Sequence, residues 1–318
     1  MIKRLQLSAC ILITLIAIFT IGSCKSTKSS DANIKISDPI FKAFLVENEN
    51  INTNYDDEIQ LSEAQAYSGD YYSWNQELLA NWDSLDIQAP KVLDVSNLGI
   101  SNLTGIEEFI NLEGLICDNN NLKTLDLHKN EKLKIVSCSL NKLIKLDISN
   151  NTLVKNLVCN NNKLTKLDIS ANKNLLNLDC YNNKLKEIDI TNNSKLTSID
   201  CSHNPLNKLN IRNNSSLLSL NCTATELSSL NVNSNTDLTH LWCGENNLTT
   251  LDIRSNTALE QLDCHSNLLK SINIKNCPNL EKLSCGFNNA MVIYATEDQY
   301  NLYANSLNWI TGDALITY

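Results

Sequence analysis

Cysteine recurs at Cys117, Cys138, Cys159, Cys180, Cys201, Cys222, Cys243, Cys264 and Cys285, each 21 residues after the last. An interval held so strictly is an internal repeat, and a repeat of this length restricts the fold more than any other signal in the chain. Each unit has two similar halves, one reading LxxLxCxxNx (Leu175, Leu178, Cys180, Asn183) and the other LxxLDIxxNxx (Leu164, Leu167, Asp168, Ile169, Asn172). So short a unit cannot bury its own apolar side chains, and the solution is to coil it and stack coil on coil into one continuous core. Within each half the residues alternate in and out, as in a strand: Leu178 and Cys180 inward, Asp179 and Tyr181 outward; Leu167 and Ile169 inward, Asp168 outward. The expected fold is therefore a mainly β solenoid of 21-residue coils with two short strands each. Asparagines close the halves in two columns, one from Asn120 to Asn288 interrupted by Thr225, the other from Asn130 to Asn256 ending at Cys277. They suit turns in which an amide side chain bonds the backbone.

LxxLxCxxNxL resembles the leucine-rich repeat, and the run with its N-terminal flank is similar to internalin-like secreted bacterial leucine-rich-repeat proteins. The resemblance covers residues 92–289 and implies a binding scaffold, because that family shares an architecture and not an activity.

Twelve cysteines in a chain with an export signal would suggest disulfides. Geometry opposes that, since equivalent positions on stacked parallel strands lie about 4.8 Å apart with parallel side chains, whereas a disulfide needs Cβ atoms about 3.8 Å apart and turned towards each other. A straight inward column cannot offer an ion four tetrahedral thiolates either. The nine are read as small buried apolar side chains, and Cys277 as equally inert.

The N-terminus indicates where such a solenoid works. Lys3 and Arg4 precede the apolar run from Ala9 to Ile21, a signal peptide over residues 1–23. It ends in "IGSC", which resembles a lipobox and implies lipid attachment at Cys24; ordinary secretion with cleavage near Ser23 is the alternative. Residues 24–36 read as a polar tether, and the expected location is the cell envelope, lipid-anchored and outer-membrane, facing the periplasm or the outside. Cleavage removes Lys3 and Arg4 and no acid, so the net charge moves from −9 to −11. With no basic stripe, nucleic acid is excluded as a partner.

Residues 37–91 form a helical cap. Asp38 caps a helix that starts at Pro39 and presents Ile40, Phe41, Phe44 and Leu45. "NTNYDDEIQLSE" follows, and against the EF-hand-like calcium loop Asn52, Asn54 and Asp56 take positions one, three and five, Glu58 supplies a carbonyl, Gln60 is nine and Glu63 the closing carboxylate. Asparagine at position one and Asp57 at the glycine position depart from that pattern, and a polar loop of asparagine turns without an ion is the competing reading. Trp74, Leu78, Leu79, Trp82 and Leu85 offer an apolar helical face to shield the first coil. Residues 290–318 read as the C-terminal cap, with Tyr300, Tyr303, Leu307 and Trp309 as a lid.

Function must lie on outward positions. The LxxLxC strand is taken as the concave, ligand-facing side, and its outward columns divide into three zones. Ile116, Ile135 and Val158 are apolar, which suits either a partner or a covering cap. Asp179, Asp200 and Tyr181 form an acidic middle. His240, Trp242, Asp263 and His265 gather aromatic and imidazole groups, the kind of anchor used in protein or sugar recognition, although a solvated strand surface would look similar. On the other half-repeat Asp126, Asp147, Asp168 and Asp189 stack in one column, a like-charge arrangement that Lys145, Lys166 and Lys208 are expected to offset. No phosphate loop, nucleophile elbow or HExxH is present, so no enzyme activity and no required cofactor are expected. The expected partner is a protein, with a glycan second, and the solenoid is expected to be monomeric.

Overall fold

The computed structural model describes residues 31–71, 91–289, 291–304 and 309–318. The signal segment, Cys24, the tryptophan-bearing stretch from Trp74 to Leu85, and Leu307 lie outside the described residues.

In chain order the strands are β1 (Asp70–Tyr71), β2 (Lys91–Asp94), β3 (Gly114–Ile116), β4 (Ile135–Ser137), β5 (Asn156–Val158), β6 (Asn177–Asp179), β7 (Ser198–Asp200), β8 (Ser219–Asn221), β9 (His240–Trp242), β10 (Gln261–Asp263), β11 (Ser271–Asn273), β12 (Lys282–Ser284), β13 (Val292–Tyr294), β14 (Trp309–Ile310) and β15 (Leu315–Thr317). The helices are α1 (Pro39–Glu47), α2 (Leu61–Ala66) and α3 (Glu297–Ala304). Every LxxLxC half adds one strand to a single 12-stranded sheet that runs from β1 to β10 and on through β12 to β14. All its pairs from β2 onward are parallel, and they match residue to residue: Leu178 lies beside Ile199, then Leu220, then Leu241. The leucine-rich-repeat solenoid read from the sequence is the fold. Its 21-residue period and the register are one fact, because each coil returns the chain to the same height on its neighbour.

The LDI half behaves differently. Ser170 N–H turns back to Asp168 Oδ1 at 3.0 Å, and the chain then closes a turn through Asn172 N–H to Ile169 O at 3.0 Å. An aspartate side chain that captures the backbone two residues on makes a turn, and the same capture by Asp179, Asp200 and Asp263 closes strands β6, β7 and β10 of the long sheet. Among the described residues, this side forms a sheet of its own only at the far end, with the three strands β11, β13 and β15.

The column cysteines are all buried and unpaired, together with Cys277, and Leu178, Cys180, Leu164 and Ile169 lie in the core as the alternation requires. Burial pushes each thiol pKa up. The two asparagine columns bond differently. In the first, Asn183 Nδ2 donates to Cys159 O at 3.1 Å and Cys180 O at 3.0 Å while its Oδ1 accepts from Leu164 N–H at 2.9 Å, which ties two coils at both ends of the amide. In the second, Asn193 Nδ2 donates to Ile169 O and Asn172 O at 3.0 and 2.9 Å, but Oδ1 finds no donor, as in each member from Asn130 to Asn256. Cys277 continues this column with its Sγ 3.9 and 3.6 Å from Ile253 O and Asn256 O, longer contacts for a weaker donor. The next rung comes from α3: Gln299 Nε2 donates to Ile274 O and Cys277 O, each at 2.9 Å. The C-terminal cap thus completes the ladder with a borrowed amide.

One residue per coil, two after each cysteine, is left-handed with φ between 50° and 57°: Asn119, Leu140, Asn161, Asn182, His203, Ala224, Glu245, Ser266 and Phe287. Six of the nine are not asparagine, so coil closure overrides the steric preference of those side chains. The stack is irregular where Pro205 and Thr225 fall. Lys184 N–H bonds Leu164 O at 2.8 Å, but its equivalent Pro205 has no N–H, and Asn207 turns left-handed (φ 58°) to bond Thr225 O instead.

In the N-terminal cap Asp38 caps α1 as expected, accepting from Ile40 and Phe41 N–H, while its other oxygen accepts from Ser101 N–H and Oγ at 2.8 Å and fastens the cap to the first coil. Phe41 and Leu45 are buried, but Ile40, placed on the same face by spacing, is 45% exposed. The tether boundary at residue 36 is corrected: Leu61 N–H bonds Ala32 O and Ile34 N–H bonds Ile59 O, so these residues belong to the cap, with Ile34 buried. Trp309 is buried at the other end and Tyr303 packs against it, ring centres 5.8 Å apart.

Candidate recognition face

The outward residues of the long sheet stand in columns with neighbours one strand apart, about 4.8 Å. The column before the cysteines carries Asp179, Asp200, Asn221, Trp242 and Asp263 on successive strands β6 to β10. Asp179 and Asp200 of one group and Trp242 and Asp263 of the other therefore stand in one row, bridged by Asn221.

His240 lies against Trp242 with ring centres 5.3 Å apart, and its Nδ1 is 2.8 Å from Thr239 Oγ1. His265 is held by Asp263, which accepts from His265 N–H at 3.1 Å and sits 2.6 Å from its Nδ1, and Glu245 lies 3.6 Å from Nε2 on the other side. Gly244 makes room for this ring, because a Cβ there would collide with it. Tyr181 meets His203 of the next coil edge to face at 5.2 Å. Glu245, His203 and Asn221 were not among the expected site residues; Gly244, a glycine next to His265 in a column of polar side chains that otherwise has glycine only at Gly286, was the visible signal.

The acidic residues have a structural task. Asp179 accepts from Tyr181 N–H at 3.1 Å and from Asn160 Nδ2, and Asp200 accepts from Ser202 N–H at 3.0 Å, Ser202 Oγ at 2.5 Å and Asn221 Nδ2 at 2.9 Å. These are turn-forming side chains at the strand ends. Burial raises the Asp179 pKa against those hydrogen bonds. The opposite acidic column uses the same device: hydrogen bonds from Ser149 and Thr191 hold Asp147 and Asp189 below the usual carboxylate value. The expected lysine compensation is thus replaced by turn donors as the main cause. At the N-terminal end Ile116 and Ile135 are buried and Val158 half-buried, so the apolar zone is a covered surface and not an open patch.

The cap loop bonds itself. Glu63 Oε1 accepts from Thr53 N–H at 2.8 Å, Thr53 Oγ1 at 3.0 Å and Asn54 N–H at 3.2 Å, while Oε2 accepts from Gln60 N–H at 3.0 Å. Asp56 Oδ2 accepts from Asn54 and Gln60 amides at 3.1 and 3.0 Å, and Glu58, the expected carbonyl ligand, pairs through its side chain with Lys42. Asn52 Oδ1 alone is buried without a partner. Among the described residues no three His, Cys, Asp or Glu side chains converge to hold an ion.

No protein-family model matches the chain, and no curated protein matches it. Among solved structures it is similar to the functional domain of InlJ from Listeria monocytogenes, described as including a cysteine ladder, with 28% identity over 80% of this chain and 56% of that one at a TM-score of 0.57. A leucine-rich-repeat protein of Leptospira interrogans matches at 25% identity over 67% of this chain and 64% of that one, TM-score 0.51. An internalin of Listeria monocytogenes shares the fold at 17% identity, covering 88% of this chain and 91% of that one with a TM-score of 0.50. The chain spans just over half the length of the first and under two thirds of the second.

Proposed function

We propose that this protein is a lipid-anchored scaffold of the cell envelope that recognises a protein partner, with a glycan as the second candidate, through the outward face of its long sheet. The observation that carries the reading is the Trp242 cluster. A half-buried indole packed against His240 and flanked by Asp263 and His265 interrupts a row that from β6 to β10 otherwise holds aspartate and asparagine. Indole anchors ringed by hydrogen-bonding groups dominate recognition energetics. His265 and Asp263 stand on an open sheet and not in a closed pocket, which favours binding over acid-base chemistry. The leucine-rich-repeat neighbours favour the same class of role.

The lipid anchor at Cys24 and the envelope location rest on the "IGSC" segment. A structural envelope protein without a high-affinity ligand is the second reading, and the turn bonding of Asp179 and Asp200 favours it. A Trp242→Ala, Asp263→Ala double variant separates the two: loss of a captured partner with unchanged melting supports recognition, and undiminished association assigns the binding elsewhere. Protease treatment of intact cells beside a lysed control decides between surface and periplasm.

A further inference from the structure

We infer that the occupant of this face is an extended, cationic peptide segment of the partner, lying along the solenoid axis across β7 to β10; the inference rests on the recognition role just proposed. Charge complementarity is the first ground. The outward positions of β6 to β10 carry three aspartates and no lysine or arginine.

Free acceptor capacity is the second. Asp263 uses Oδ1 for both of its bonds to His265, which leaves Oδ2 with no hydrogen bond among the described residues, and Asp200 Oδ2 accepts only from Asn221 among them. Each can take one more charged donor.

Shape is the third. A shallow groove between Asp200 and Trp242 has Ser198, Ser219, Asn221 and Thr223 along its length. Its small hydroxyl-bearing floor accommodates an aliphatic stem, its acidic wall takes the ammonium or guanidinium, and the indole opposite offers a ring face to a cation. Asp200 and Asp263 are three strands apart, roughly 14 Å, which equals the rise over four residues of an extended peptide. The geometry therefore selects basic side chains at positions i and i+4, with the residue between them passing over Asn221 towards Trp242.

The test is selection from a random-sequence peptide library against the full-length protein, followed by affinity measurement of the selected peptides at low and high salt. Trp242→Ala, Asp200→Asn and Asp263→Asn are compared with the parent after their melting curves are shown to match. The expected result is enrichment of Lys or Arg pairs four residues apart, binding that weakens with salt, and a loss of about threefold to tenfold in each variant. Neutral or acidic peptides that still depend on Trp242 would overturn the cationic assignment and leave recognition by this face intact. Failure to select any peptide that depends on Trp242, Asp200 or Asp263 would overturn both.

Discussion

At the scale of single residues, the two asparagine columns look identical in sequence and differ in how completely their amides are bonded. Asn183 satisfies both its Nδ2 and its Oδ1, whereas Asn193 leaves Oδ1 buried and unpartnered. Removing a fully bonded buried amide strands donors and acceptors at about 1–3 kcal/mol each. Asn183→Ala is therefore expected to lower stability more than Asn193→Ala, measured by urea unfolding. Cys277→Asn restores a two-donor rung where the thiol makes only long contacts, and should gain about 1 kcal/mol in the same assay. The cysteines give a second check. Their burial and raised pKa values leave the ten described thiols inert to a thiol reagent at neutral pH until the protein unfolds.

At the scale of elements, the cap loop shows where sequence reading ends. Oxygen-bearing residues at alternate positions write the same pattern for a calcium shell and for a self-bonded turn, and the side chains of Glu63 and Asp56 bond within the loop. Because Glu63 already accepts four donors, Glu63→Gln is expected to lower the melting temperature of the cap, and calcium titration to give no heat and no chelator-sensitive shift in melting. A saturable calcium heat would assign the loop to an ion instead. The repeat halves carry the same lesson. LxxLxC was legible as a strand because its period of two repeats at fixed register, but LDIS shows the same alternation and yields a ladder strand only in β11, β13 and β15. The side-chain capture of the residue two ahead does not decide it, because Asp168 makes it outside any ladder strand while Asp179, Asp200 and Asn273 make it at the ends of β6, β7 and β11. The left-handed residue of each coil was illegible, since it is occupied by leucine, histidine, alanine, glutamate and phenylalanine as readily as by asparagine.

At the scale of the whole molecule, a strict period fixes a long sheet and leaves its outward columns free to vary, so function sits in departures from the average. The row from Asp179 to Asp263 could be listed from sequence, and its continuity follows from register alone. The division of labour along it could not, because whether a carboxylate serves a turn or a ligand depends on where its oxygens point. The central claim is that recognition uses this face and not the opposite one. The most direct measurement places a photo-crosslinking side chain at Ser219, on the sheet face, or at Ser170, on the opposite half-repeat, in intact cells. A partner crosslinked from Ser219 and not from Ser170, and lost when Trp242→Ala is added, is the result this account expects; crosslinking from Ser170 alone, or equally from both, would contradict it.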